Sequence, residues 1–233
     1  MKEVEIDEVL KAARTPNAPR PETLQRVTGI IEGSLRPVRP LPPAWIFTTG
    51  LFLVSASVAL AGAARAGFDG LEKMTPWERG LIFPTLAIYM TIAANALVKA
   101  IIPGSRRRIS TDLLLGLGTV ALIAVFAFSF RDYHVEHFVS TGIPCLLTGL
   151  FHAIPAALVS WLLLRRGFAV RPVSAGWIAG LLAGIAGVGV LELHCVNFEA
   201  AHVLVWHTAV IPVSGALGAL CAGVWVRLRR LAR

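Results

Sequence analysis

Six stretches of this 233-residue chain contain no Asp, Glu, Lys or Arg, and each is long enough to cross the hydrocarbon core of a bilayer: residues 41–64, 80–98, 113–130, 138–164, 172–191 and 200–226. A helical span needs about 20 predominantly apolar residues at 1.5 Å rise each. Only 15% of the chain is charged, against roughly 25% in an ordinary soluble domain, and 55% is apolar. In lipid the backbone must satisfy its own hydrogen bonds, and the continuous apolar runs suit helices rather than alternating strands. The expectation is an all-α polytopic membrane protein. A six-helix transmembrane domain over 41–233 would follow a short N-terminal segment over 1–40.

The net charge of +8 would suit a nucleic-acid partner if the cations were clustered. They alternate instead. Of the 22 Lys and Arg, 18 fall in the N-terminal segment, the second and fourth loops and the C-terminal tail, and 4 fall in the remaining loops. Cytoplasmic flanks collect Lys and Arg, so both termini are expected in the cytoplasm and the chain in a bacterial inner membrane. Arg36, Arg39, Lys99, Arg106, Arg107, Arg108, Arg165, Arg166, Arg171, Arg227, Arg229 and Arg230 then lie beside anionic headgroups as topology anchors, and no direct nucleic-acid partner is expected. The first 40 residues are polar and show no apolar core of a signal peptide, so they are read as part of the mature protein.

That N-terminal segment divides at Thr15-Pro16-Asn17-Ala18-Pro19 into two short candidate helices. Ile6, Val9, Leu10 and Ala13 recur at helical spacing in the first, and Leu24, Val27, Ile30 and Ile31 in the second. Pro21-Glu22 suits a helix start, and the proline-rich residues 36–43 read as a stiff connector to the first span. So short a segment cannot bury a core of its own, so its stripes must meet a membrane surface, another protomer or a protein partner.

Within the bundle, Gly176, Gly180 and Gly184 are spaced four apart and Gly187 follows, a small-residue stripe that lets helix backbones approach closely. Pro84, Pro144, Pro155 and Pro212 remove backbone donors inside three spans. Trp45, Trp77, Trp161 and Trp225 fall near span ends, as interfacial aromatics do.

No carboxylate falls inside the six windows, which disfavours an ion-coupled transporter. No C-x-x-C pair, G-x-S-x-G elbow or H-E-x-x-H helix is present, and no enzymatic activity is expected. What remains is a concentration of soft and borderline ligands on the outer side. Cys145 heads the fourth span, Cys195 lies in the fifth loop, and all six histidines fall in the outer half, while Cys221 lies toward the inner end of the sixth span. Cys145 and His152 are seven residues apart and share a helix face; Cys195, Glu199 and His202 run i, i+4, i+7 if the last helix begins early enough. Thiolate and imidazole suit a soft or borderline ion of the Zn or Cd class, so Cys145, Cys195, His194, His202, His152 and Glu199 are candidate ligands for a transiently bound metal. An outer compartment also permits a disulfide, and inert packing of the thiols stays open. Two other readings are a metal permease using these groups as an entry site, and a redox carrier with His152 and His207 as axial ligands of a haem.

Pro76-Trp77-Glu78-Arg79-Gly80-Leu81-Ile82-Phe83-Pro84 enters the second span, Cys145 and Pro155 lie in the fourth, and Leu164-Arg165-Arg166-Gly167 closes it. Ala179-Gly180-Leu181-Leu182-Ala183-Gly184 lies in the fifth span, and Leu193-His194-Cys195 and Val205-Trp206-His207 follow. By these segments together the chain resembles a known family, the NrsF-type membrane anti-sigma factors. The resemblance implies a six-span regulator that binds an extracytoplasmic-function sigma factor through its N-terminal segment, here through Ile6, Val9, Leu10, Leu24, Val27, Ile30 and Ile31. It also implies that Cys145 and Cys195 sense heavy-metal or oxidative stress.

Overall fold

The computed structural model describes residues 21–34, 42–102, 110–133, 135–167 and 169–232. Ile6, Val9, Leu10, Arg36, Arg39, Arg106, Arg107, Arg108 and His134 lie outside these residues. The chain divides into two units, Met1–Leu41 and Pro42–Arg233.

In the first unit the described part is one helix, α1 (Pro21–Ser34), with Pro21 at its start and Glu22 in its first turn, where the helix dipole favours an acid. Leu24, Val27, Ile30 and Ile31 are each about half exposed or more, at 51%, 47%, 64% and 52%. The stripe legible in the sequence is therefore an exposed apolar face of α1 among the described residues.

The second unit is all-helical among the described residues. Its long helices are α2 (Ala44–Ala66), α4 (Pro76–Ile101), α5 (Thr111–Ser129), α6 (Phe138–Arg166), α7 (Pro172–His194) and α8 (Ala200–Leu231); a short α3 (Asp69–Lys73) lies between α2 and α4. All six long helices are apolar and long enough to cross a membrane. Each extends past its charge-free window where local chemistry allows. For α4 the extension is a capping box: Thr75 Oγ1 accepts from the backbone of Glu78 at 3.3 Å, and the Glu78 carboxylate accepts from the backbone of Thr75 at 2.7 Å.

α7 is the centre of the arrangement. Its apolar window is 83% buried, against 22–50% for the other five, and it packs on α2, α4, α6 and α8. The glycine stripe explains how. A Cβ on Gly176 would meet the carbonyl of Gly218 at 2.5 Å, and one on Gly184 would meet the Ile211 Cα at 2.8 Å, so the α7 and α8 backbones touch without intervening side chains. On the periphery, α5 rests on α4, where the Tyr89 hydroxyl and Thr119 Oγ1 are 2.7 Å apart. Large apolar side chains such as Ile88, Leu117, Phe151 and Leu220 point outward and are more than half exposed, which suits a chain whose outer solvent is lipid rather than water.

One premise from the sequence is corrected here. The fifth charge-free window stops at Leu191, but α7 continues to His194, and the amide of Cys195 still donates to the Leu191 carbonyl at 2.7 Å. The extra turn carries Glu192 with no solvent exposure, so a helix of membrane-spanning length does hold a buried carboxylate.

Candidate functional site

The ends of α7 and α8, the start of α6 and the intervening residues 195–199 meet at one end of the bundle. Three contacts hold residues 195–199 in place. Phe198 stacks on Phe130 with ring centroids 5.1 Å apart and planes 1° from parallel. The amide of Ala200 donates to the Asp132 carbonyl at 2.5 Å. Gly70 of α3 lies directly under the chain at Cys195, where a Cβ would stand 2.6 Å from the Cys195 carbonyl oxygen. Asn197 adds a local turn, its Oδ1 accepting from the Glu199 amide at 3.0 Å.

This scaffold brings Cys195 against Cys145, fifty residues earlier, with the two sulfurs 3.5 Å apart. Both are free thiols; Cys195 is buried and Cys145 half-buried. The contact with Cys145 and burial hold the Cys195 thiol above the usual thiol range, with the neighbouring His202 and His207 opposing the shift. His202 Nε2 lies 3.8 Å from the Cys195 sulfur.

His207 joins the group through an irregularity of α8. Residues Val203–His207 form a π-helical turn. Five residues of regular α-helix rotate by about 500°, which would leave His202 and His207 about 140° apart on different faces. The wider i→i+5 turn winds the same five residues through little more than one revolution and stacks the two side chains. Their ring centroids are 5.2 Å apart in an edge-to-face arrangement, and neither has any solvent exposure. On the far side of His207, its Nδ1 lies 2.6 Å from Oε1 of Glu192 on α7.

The result is a four-donor group: Cys145, Cys195, His202 and His207, with one ligand atom from each all within 4.8 Å of one another. Such a set can hold a metal ion. It also leaves polar atoms without hydrogen-bond partners among the described residues, namely His207 Nε2, His202 Nδ1 and Glu192 Oε2.

Of the candidate ligands read from the sequence, Cys145, Cys195 and His202 are brought together and His152, His194 and Glu199 are not. His152 does lie on the same helix as Cys145, but seven residues are about 10 Å of axial rise, too far for a shared ion. Its Nδ1 instead lies 2.9 Å from the Thr148 carbonyl. The helical i, i+4, i+7 register proposed for Cys195, Glu199 and His202 does not form, because helix begins only at Ala200; Cys195 reaches His202 through an extended segment. His194 Nδ1 and Glu199 Oε2 are buried without hydrogen-bond partners among the described residues and lie outside the four-donor group. The sequence does not single out Glu192, and it offers His207 only as a haem ligand. The available signal for Glu192 was its position between Leu191 and Leu193, a lone acid continuing an apolar helix, which requires a partner. Cys221 is exposed and lies 14 residues beyond His207 in α8, about 21 Å along its axis.

Comparison with curated proteins and with solved structures gives no match. One family does match, over residues 33–228, and it takes in five of the long helices whole, α8 as far as residue 228, and the whole four-donor group; its description is negative regulator of sigma F. A chain covered to that extent belongs to the NrsF family, whose name is that of negative regulators of a sigma factor.

Proposed function

We propose that this protein is a membrane-bound anti-sigma factor. It sequesters an extracytoplasmic-function sigma factor at the cytoplasmic face through its N-terminal segment, and it releases that factor when chemistry at the Cys145–Cys195 pair on the outer side reports heavy-metal or oxidative stress. The partner class is supported by the family match, and the role of the tail by the uncovered Leu24, Val27, Ile30 and Ile31 face of α1. The observation that carries the sensing part is the 3.5 Å separation of two free thiols that are fifty residues apart in sequence. At that distance either a shared ion or a disulfide needs only small movements.

The energies are adequate. Moving a two-state equilibrium from 1:99 to 99:1 takes about 5.5 kcal/mol of differential affinity. A structural zinc site supplies roughly 10–16 kcal/mol, and a disulfide closing a loop of about 50 residues roughly 4 kcal/mol. The position of the pair favours transmission, since Cys195 directly follows α7 and α7 packs on four other long helices.

The test is transcription from a sigma-dependent promoter before and after cadmium or diamide, at matched membrane levels of the protein. Cys145→Ser and Cys195→Ser should each blunt induction, and the double variant should add little beyond either, since the two act as a unit. Cys221→Ser should respond like the parent. A double variant that responds fully would remove the thiols from the mechanism.

A further inference from the structure

We propose that Cys145, Cys195, His202 and His207 form a tetrahedral site for a zinc-class divalent cation, and that Glu192 is its positioning residue. The inference rests on the reading of the thiol pair as the sensing site and specifies the ligand class of that site.

The distances suit such an ion. Two thiolate sulfurs each about 2.3 Å from one zinc ion lie about 3.8 Å apart at the corners of a tetrahedron, and a sulfur and an imidazole nitrogen about 3.6 Å apart. The protein places its sulfurs 3.5 Å apart and His202 Nε2 3.8 Å from Cys195, with all four donors within 4.8 Å. Two thiolates and two imidazoles select a borderline or soft ion over magnesium or calcium, which take oxygen.

Independent support comes from His207. Its Nδ1 is occupied by Glu192 at 2.6 Å, while its Nε2, fully buried beside the thiols, has no hydrogen-bond partner among the described residues. A buried imidazole nitrogen left in that condition is costly unless something accepts its lone pair. Nδ1–H of His207 donates to the Glu192 carboxylate, which fixes the tautomer with the Nε2 lone pair directed away from Glu192. This carboxylate–histidine pairing orients ligands in metal sites and raises their basicity. The π turn is the second built feature: without it His202 and His207 would occupy different faces of α8. Four donors, one from α6, two from α8 and one from the segment between α7 and α8, make a closed site without an open coordination position. That arrangement suits a resident or sensed ion rather than a catalytic one.

The site is tested on the purified full chain in detergent, reduced and freed of metal, with Co²⁺ as the spectroscopic probe and Zn²⁺ as competitor. Expected are one Co²⁺ per chain, the visible d–d bands of tetrahedral cobalt, a thiolate-to-metal charge-transfer band and displacement by Zn²⁺. Cys145→Ser and His207→Gln should each lose that spectrum, and Cys221→Ser should keep it. Glu192→Gln should keep the tetrahedral spectrum but weaken binding about 10- to 100-fold, with partial recovery in Glu192→Asp. Parent protein that shows three titratable thiols and no tetrahedral cobalt spectrum would overturn the site. Unchanged affinity in Glu192→Gln would overturn the positioning role. The two readings separate cleanly: a cobalt spectrum together with a cysteine-independent promoter response supports the metal site and defeats the sensing function. Cysteine-dependent induction by diamide without any metal binding does the reverse.

Discussion

His207 Nδ1 and Glu192 Oε1 lie 2.6 Å apart with both side chains fully buried, so the last turn of α7 and the first turns of α8 are joined by a polar contact that water does not reach. Removing one partner leaves the other uncompensated in an apolar bundle. His207→Ala, assayed without metal, is therefore expected to cost about 3–5 kcal/mol of stability. The double variant Glu192→Leu/His207→Ala should recover much of the loss, because no buried charge remains. Denaturation of the four proteins in detergent checks this, and additive losses in the double variant would mean that the pair is not coupled.

The thiol pair leads to a chemical prediction that needs no partner protein. Diamide applied to the metal-free purified chain should form an intramolecular Cys145–Cys195 disulfide while Cys221 remains open to alkylation, because the first two sulfurs are 3.5 Å apart and the third is exposed elsewhere on α8. Alkylation followed by mass spectrometry should find one modified cysteine where the untreated protein has three. A Cys221-linked dimer as the main product would contradict the geometry.

Gly70 is a steric control on the same site. Its missing Cβ leaves room for the Cys195 carbonyl, which a methyl group would approach to 2.6 Å. Gly70→Ala should displace the backbone at Cys195, cost about 1–3 kcal/mol as an overpacked contact, and slow disulfide formation relative to the parent. Gly80→Ala, inside α4 at a position where an added Cβ meets nothing within 4 Å, serves as the matched control and should leave disulfide formation unchanged while gaining about 0.5–1 kcal/mol from helix propensity.

The proposed orientation rests on the distribution of basic residues, 18 in one set of alternating segments and 4 in the other. A reporter fused after Arg233 should report cytoplasm, and one inserted beside Asp69 should report the outer side. The opposite result would put the thiols in the reducing compartment and end the sensing argument.

The uncovered face of α1 gives the partner prediction. Replacing Val27 and Ile30, 47% and 64% exposed, by Asp should abolish co-purification of the sigma factor while membrane insertion continues, since the change introduces charge at the proposed contact. Full retention of the factor would place its binding elsewhere on the cytoplasmic side.

The architecture was legible in the sequence because a bilayer imposes one-dimensional rules. A span must be long, apolar and helical, so the six windows located all six long helices. The spacing of Gly176, Gly180 and Gly184 likewise foretold the close approach of α7 to α8, because residues four apart share a helix face whatever surrounds them.

The grouping at the thiols could not be read in the same way. Regular periodicity puts His152 on the face of Cys145 and separates His207 from His202, and both inferences assume that helices stay α-helical and that ligands come from one element. The site draws on three helices instead. It depends on an extended segment held by Phe198 and Gly70, on a π turn that adds one residue to a helical revolution, and on Glu192, whose significance appears only when α7 runs one turn past its apolar window. Sequence spacing determines which residues can share a face of a single helix. Which faces then meet is set by the packing of separate helices, where contacts such as Cys145 with Cys195 join residues fifty positions apart and carry no local signature.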